Sequence, residues 1–204
     1  MLTLYYASGS CSLSPHIALR EAGVPFELDK VDLMRAQRLD SGGTFTSVSE
    51  KGYVPALRLD TGELLTEGVA IVQYIADLRP EKQLAPPPGS FERVRLQEWL
   101  NFIATELHKG FSPLCAKQAS DGYKAFARER LVSRLALLAK GVTDKPFLLG
   151  ERFTVADGYA FYVLRTWTRV MKGELPGELA AYFARLSSRP AVRQALQAEG
   201  FTVP

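Results

Sequence analysis

Apolar residues follow two different rhythms along this chain, and the change falls near residue 80. Before it, short apolar runs alternate with helical spacings. Leu2–Tyr6 is brief, apolar and aromatic, the pattern of a buried strand. Residues 7–12, with Gly9 and three serines, read as a loop. Leu13–Ala22 sets Leu13, Ile17 and Ala18 at helical spacing, tolerates Pro15 in its first turn, and stops at Gly23. Residues 26–33 alternate in part and predict a second strand. Residues 41–52 are polar and glycine-bearing, a loop. Residues 55–59 and 63–66 are short strands joined by the turn signal Asp60-Thr61-Gly62. Residues 68–78 predict a helix with Val69, Val72 and Ile75 or Ala76 on one face. A four-stranded mixed sheet with helices packed on it satisfies this order.

Strand signals then vanish. Residues 80–90 carry Pro80 and Pro86-Pro87-Pro88-Gly89, which cannot continue a helix and make a stiff linker. Residues 91–117 predict one long helix, with Leu96, Trp99, Leu100, Ile103, Leu107 and Phe111 at spacings of three and four. Residues 123–140 predict another. Thr154-Val155-Ala156-Asp157 resembles a capping box with Asp for the usual Glu, and opens a third helix reaching about residue 171. Residues 178–187 form a fourth, and a fifth runs between Pro190 and Gly200. The expected organisation is an α/β domain over residues 1–79, the linker 80–90, and an all-α domain over residues 91–204.

Composition narrows the class. Over 204 residues, 47% are hydrophobic, enough to bury a core. Lys and Arg number 25 against 22 Asp and Glu, a net charge of +3 without a basic run, so nucleic acid is not an expected partner. No apolar run approaches the roughly 20 residues of a membrane span, and the first residues lack the basic start of a signal peptide. A soluble, cytoplasmic chain is expected. The two cysteines, Cys11 and Cys115, leave no disulfide framework, zinc spacing or dithiol motif, and no metal is expected.

Four positions carry candidate chemistry. Cys11 lies between a strand and a helix, where N–H groups and the helix dipole lower a thiol pKa from about 8.5 to roughly 3.5–7.5; the alternative is a small buried hydrophobe. Val54-Pro55 opens a strand. With a cis bond there, the Val54 backbone presents an N–H and C=O pair to an extended peptide; the alternative is an edge-strand proline. Thr66-Glu67-Gly68 starts a helix, so its N–H groups suit a carboxylate and Glu67 an ammonium, together the head of an α-amino acid; the alternative is that Glu67 only complements the dipole. Asn101, Thr105 and His108 form a polar stripe opposite Trp99, Ile103 and Leu107; the alternative is a solvated face. His16, the other histidine, reads as structural.

Together these pieces resemble the soluble glutathione transferases, most closely the bacterial beta class, over essentially the whole chain. Gly9-Ser10-Cys11-Ser12-Leu13 is similar to that class's cysteine loop, and Gly52-Tyr53-Val54-Pro55-Ala56-Leu57 to the family's cis-proline segment. Residues 65–71 resemble its γ-glutamyl-binding turn, residues 99–109 its first long C-terminal helix, and residues 153–157 its capping motif. The resemblance implies a thioredoxin-like, glutathione-binding N-terminal domain, an all-α C-terminal domain lining the second substrate's site, and a homodimer. Cys11 and His108 would serve the glutathione sulfur. Val54, beside Pro55, would hold the cysteinyl backbone, and Glu67 and Gly68 the γ-glutamyl head. Asn101, Thr105 and Lys109 would line the site, and Ser10 and Tyr6 could also reach it. A basic residue that helps hold the glycyl carboxylate in the class falls at Ala36 here by simple alignment, and Arg35 or Arg38 would substitute for it.

Three functions stay open at this point. One is conjugation of glutathione, as co-substrate, to small electrophiles. Another is glutathione-dependent reduction of a disulfide substrate through Cys11. The third is non-catalytic binding of apolar ligands, against which the intact polar stripe argues.

Overall fold

The computed structural model describes residues 1–202. Its internal contacts group the chain into two units, one of residues 1–85 with the segment from Ser187 onward, the other of residues 86–186.

In the first unit, five strands form a mixed sheet: β1 (Leu2–Tyr6), β2 (Phe26–Asp32), β3 (Arg38–Leu39), β4 (Ala56–Arg58) and β5 (Leu64–Thr66), in the order β3-β2-β1-β4-β5. The central strand β1 pairs parallel with β2, Leu4 opposite Leu28, and antiparallel with β4, Leu4 opposite Leu57. The four-stranded expectation misses β3. Two residues carry no detectable period, and the reversal into them runs through Ala36 and Gln37, both left-handed at φ 49° and 55°. Alternation along β1 turns Tyr5 toward Val31 and Ala56, where Leu39, Phe45 and Val54 complete a buried cluster. The helices α1 (Leu13–Ala22) and α2 (Gly68–Asp77) pack on each other and bury Leu13, Ile17 and Leu19 from one, Ile71, Val72 and Ile75 from the other. Each such side chain stabilises the fold by about 1.5–3 kcal/mol. Gly23 ends α1 at φ 66°, its N–H reaching the carbonyls of Leu19 and Arg20.

The second unit is helical. α3 (Phe91–Phe102) starts at Ser90, whose hydroxyl accepts the Arg93 N–H. The single helix expected over residues 91–117 is broken. After α3 the chain widens into a π-helical segment, Ile103–His108, tightens through Lys109–Phe111, and resumes as α4 (Ser112–Cys115). Pro113 has no N–H to donate backward, so a regular ladder cannot run through this point. α5 (Asp121–Lys140) follows, then α6 (Val155–Arg165), which ends in a second π-helical segment, Thr166–Val170, and then α7 (Gly177–Ser187).

The Thr154/Asp157 helix start is present and extends further than the sequence pattern implied. The fully buried Asp157 carboxylate accepts the N–H of Thr154 (2.8 Å), its hydroxyl (2.9 Å), the Leu148 N–H (2.9 Å) and the Tyr182 hydroxyl (2.6 Å). Burial raises its pKa, and these donors oppose that rise.

The last helix, α8 (Pro190–Ala198), groups with the first unit and packs on α1, whereas the expected division leaves it with residues 91–204. Arg189 at its start grips Glu21 of α1 through two hydrogen bonds of 2.6 and 2.9 Å. Among the described residues no helix is long and apolar enough to cross a membrane.

Candidate active site

The loop after β1 is built on serine hydroxyls. Ser12, fully buried, donates its hydroxyl to the Ala7 carbonyl (3.2 Å), accepts the Ala7 N–H (3.1 Å) and meets the Ser10 hydroxyl (2.8 Å). Helical turns begin before α1 itself, with the Leu13 N–H on the Ser10 carbonyl and the Ser14 N–H on the Cys11 carbonyl. This holds Cys11 at the mouth of the helix, partly exposed, with its thiol donating to the Val54 carbonyl at 3.4 Å. The Val54-Pro55 bond is cis. Gly68, the first residue of α2, stands against Pro55: a Cβ built on Gly68 would lie 3.6 Å from the proline ring. Cys11, Val54, Pro55, Gly68 and Glu67 therefore form one contiguous row within the first unit.

Glu67 takes φ 71° and ψ 112°, a backbone region that costs a non-glycine residue about 1–3 kcal/mol and concentrates at functional sites. Its carboxylate receives the Lys51 ammonium at 2.6 Å and the Tyr53 hydroxyl at 2.7 Å. These hydrogen bonds raise the pKa of both partners. Glu67 thus does more than complement the α2 dipole. It anchors a small polar cluster at the end of the row.

A buried relay that sequence reasoning missed braces this loop from behind. Glu199, which follows α8, accepts the Gly9 N–H at 2.7 Å and a hydrogen bond from His16 Nδ1 at 2.8 Å. Arg20 Nε–H, which can only donate, reaches His16 Nε2 at 3.0 Å. His16 is therefore neutral with its proton on Nδ1. Both ring nitrogens are committed, in line with the structural reading of this residue. Tyr6 packs its ring against His16, 6.1 Å between centroids. Burial, then the charges of Glu199, Asp40 and Asp29, raise its phenol pKa, so it stays protonated.

Arg35 is exposed and pairs loosely with Asp32 at 3.8 Å, and Arg38 lies in the edge strand β3. In the second unit, Asn101 ends near the exposed side of α3, and the Thr105 hydroxyl turns back to the Asn101 carbonyl at 2.9 Å. Thr105 and His108 both lie in the π-helical segment, a device that often marks functional positions. His108 is half-buried, with Nδ1 2.7 Å from the Tyr159 hydroxyl, and Lys109 beside it is exposed. Burial, then the Lys109 charge, lowers the His108 pKa to about 4, so the ring is neutral near pH 7.

Residues 9–78 match the model of the glutathione S-transferase N-terminal domain, and residues 102–190 that of the glutathione S-transferase C-terminal domain. The chain is 48% identical over 201 residues to glutathione S-transferase GstA of Escherichia coli O157:H7, covering 98% of this chain and 99% of that protein. Among solved structures it resembles BphK, a bacterial transferase in a ternary complex, with a TM-score of 0.94 and 51% identity, over 98% of this chain and 100% of that one. It also resembles a sphingomonad glutathione S-transferase complexed with glutathione, with a TM-score of 0.92, 44% identity and the same coverage.

Proposed function

Because the chain belongs to the glutathione S-transferase family, we propose that it binds glutathione in its first unit and adds it to small electrophiles. The observation that carries this reading is the contiguous row of Cys11, Val54, Pro55, Gly68 and Glu67. A helix N-terminus and a fixed carboxylate at one end suit the carboxylate and ammonium of a γ-glutamyl head. The Val54 backbone suits the cysteinyl amide, which brings the substrate sulfur toward Cys11. The glycyl carboxylate goes to Arg35 or Arg38. Tyr6, Ser10, Asn101, Thr105 and Lys109 are assigned to the lining of the site, and His108 to a hydrogen bond on the sulfur.

The chemistry is a proton loss followed by attack. Glutathione gives up its S–H proton to water, donors near the sulfur stabilise the thiolate, and the sulfur bonds to the electrophilic carbon as the leaving group departs with the electron pair. A neutral His108 donates one N–H for this purpose and undergoes no net proton transfer.

A second activity is favoured by one feature, the partly exposed Cys11 thiol on the Val54 carbonyl. As a thiolate, Cys11 attacks a glutathione disulfide, forms a mixed disulfide and releases glutathione thiolate. Cytoplasmic location and a C₂ homodimer complete the reading. Sedimentation at micromolar concentration checks the latter, a single 22.5 kDa species contradicting it.

The test is Cys11→Ala, assayed with a chromogenic aryl halide and, separately, for thiol–disulfide exchange with oxidised glutathione. Exchange is lost outright, because it requires the protein's own sulfur. Conjugation falls by about tenfold, the scale of one hydrogen bond to a charged group. Full exchange in this variant refutes the assignment of Cys11.

A further inference from the structure

His108 is held by more than its own helix. The π-helical segment Ile103–His108 turns its ring onto α6, where two tyrosines one turn apart clamp it. Tyr162 meets the ring edge-to-face at 5.1 Å and 86°, Tyr159 at 5.9 Å and 71°. Both tyrosines are buried, at 7% and 5% exposure. Tyr159 lies two residues after Asp157, so α6 carries it from a helix start locked by four hydrogen bonds. The Tyr159 hydroxyl sits 2.7 Å from His108 Nδ1.

The direction of that hydrogen bond decides what His108 presents. A ring that donates from Nδ1 keeps Nε2 as a bare acceptor, which repels a thiolate. A ring that accepts at Nδ1 carries its proton on Nε2 and presents a donor. Three arguments select the second. The ring is neutral near pH 7, so only one nitrogen bears a proton. A separation of 2.7 Å is the usual length for a hydroxyl donor and the short limit for an N–H donor. Of the two groups, the phenol is the stronger donor and the imidazole nitrogen the stronger acceptor.

We propose that Tyr159 is a positioning residue: by donating to Nδ1 it fixes His108 as the Nε2–H tautomer and aims that N–H as the donor for the glutathione sulfur. The last clause rests on the transferase reading; the tautomer does not. The two histidines of the chain then hold opposite neutral tautomers. His16, set between Glu199 and Arg20, keeps its proton on Nδ1, and His108 keeps its proton on Nε2.

Two histidines make this directly observable. ¹⁵N-labelled protein is examined by long-range ¹H–¹⁵N correlation of the imidazoles near pH 7, for the natural chain and for Tyr159→Phe. The natural chain is expected to show two ring patterns with the protonated and bare nitrogens interchanged. In Tyr159→Phe the His108 pattern relaxes toward a tautomer mixture while the His16 pattern stays unchanged, the second serving as a check that the fold survives. Conjugation by Tyr159→Phe is expected to lose about two- to tenfold in kcat, the range of one neutral hydrogen bond, with KM for glutathione little changed. A proton on Nδ1 of His108 in the natural chain overturns the proposal whatever the variant does. Parallel assay of His108→Ala separates the two remaining failures. If His108→Ala slows conjugation and Tyr159→Phe does not, the positioning role of Tyr159 is wrong. If neither slows it, the tautomer stands but the assignment of His108 to the sulfur fails.

Discussion

The two histidines meet their oxygen partners at nearly equal distance, 2.8 Å for His16 and 2.7 Å for His108, yet they occupy opposite kinds of site. His16 is fully buried, and both of its nitrogens are spent: one on the Glu199 carboxylate, the other on Arg20. It can only hold Glu199 in place, and the Glu199 carboxylate in turn accepts the Gly9 N–H two residues before Cys11. His108 is half-buried and spends one nitrogen on a phenol, which leaves the other to act. The difference teaches that an imidazole's role is set by how many of its nitrogens the fold consumes, and by whether their partners can switch between donor and acceptor.

Breaking the His16 side has the largest expected effect. Glu199→Ala strips His16 and the Gly9 N–H of their acceptor in a buried setting. The expected loss is about 2–4 kcal/mol, or roughly 5–15 °C in Tm for a chain of this size. Calorimetric melting checks it, and a Tm within 1 °C of the natural chain removes His16 from the role of a strut.

The pH dependence of stability sharpens the His108 side. Its folded pKa is about 4 against an ordinary 6.5, so the unfolded chain takes up the proton first. The folded state loses nothing to this proton above pH 6.5, loses stability as pH falls, and has lost the full amount below about pH 4. The whole amounts to on the order of 3 kcal/mol. Denaturant titrations at several pH values are expected to show a shallower acid loss in His108→Gln. Parallel curves for the two proteins place the titration elsewhere.

Activity separates the histidines in a third way. His108→Ala is expected to slow conjugation by about 10- to 100-fold, the range of a hydrogen bond to a charged sulfur, and to move the pH–rate profile upward because less thiolate forms at neutral pH. Its melting temperature should change far less than that of Glu199→Ala. Equal thermal losses in the two variants erase the distinction.

The smallest effect belongs to the loop that Glu199 braces. Ser12→Ala removes a hydroxyl that bonds the Ala7 carbonyl and N–H. It is expected to cost about 1 kcal/mol, with a modest rise in hydrogen exchange at residues 7–12. Unchanged exchange there removes the Ser12 hydroxyl from the groups that hold the loop.

Much of this was legible in the sequence where period or punctuation carried it. Leu2–Tyr6 and Leu13–Ala22 fall where the apolar pattern and Gly23 put them. The row of Cys11, Val54, Pro55, Glu67 and Gly68 came from local motifs, and the fold brings those motifs side by side. The Thr154/Asp157 start was readable because both partners sit three residues apart. The π-helical segment was not, since apolar spacings of three and four fit a regular helix as well as a widened one. Glu199 was invisible for a different reason. It lies 190 residues from the Gly9 N–H that it accepts, and a lone acid ahead of Gly200 reads as the end of a surface helix. Tyr159 was hidden within the apolar stretch of α6, where an aromatic reads as core and its hydroxyl goes unnoticed.

The central claim is that glutathione binds along the row that ends at Glu67. Titration calorimetry of glutathione into the natural chain and into Glu67→Ala tests it most directly. The expected result is one glutathione per chain for the natural protein. The folded variant should bind about tenfold or more weakly, since a hydrogen bond to a charged group contributes about 1.5–3 kcal/mol, while its Tm stays close to that of the natural chain because Glu67 is exposed. Unchanged affinity in the folded variant, or no glutathione binding by the natural chain, contradicts the claim.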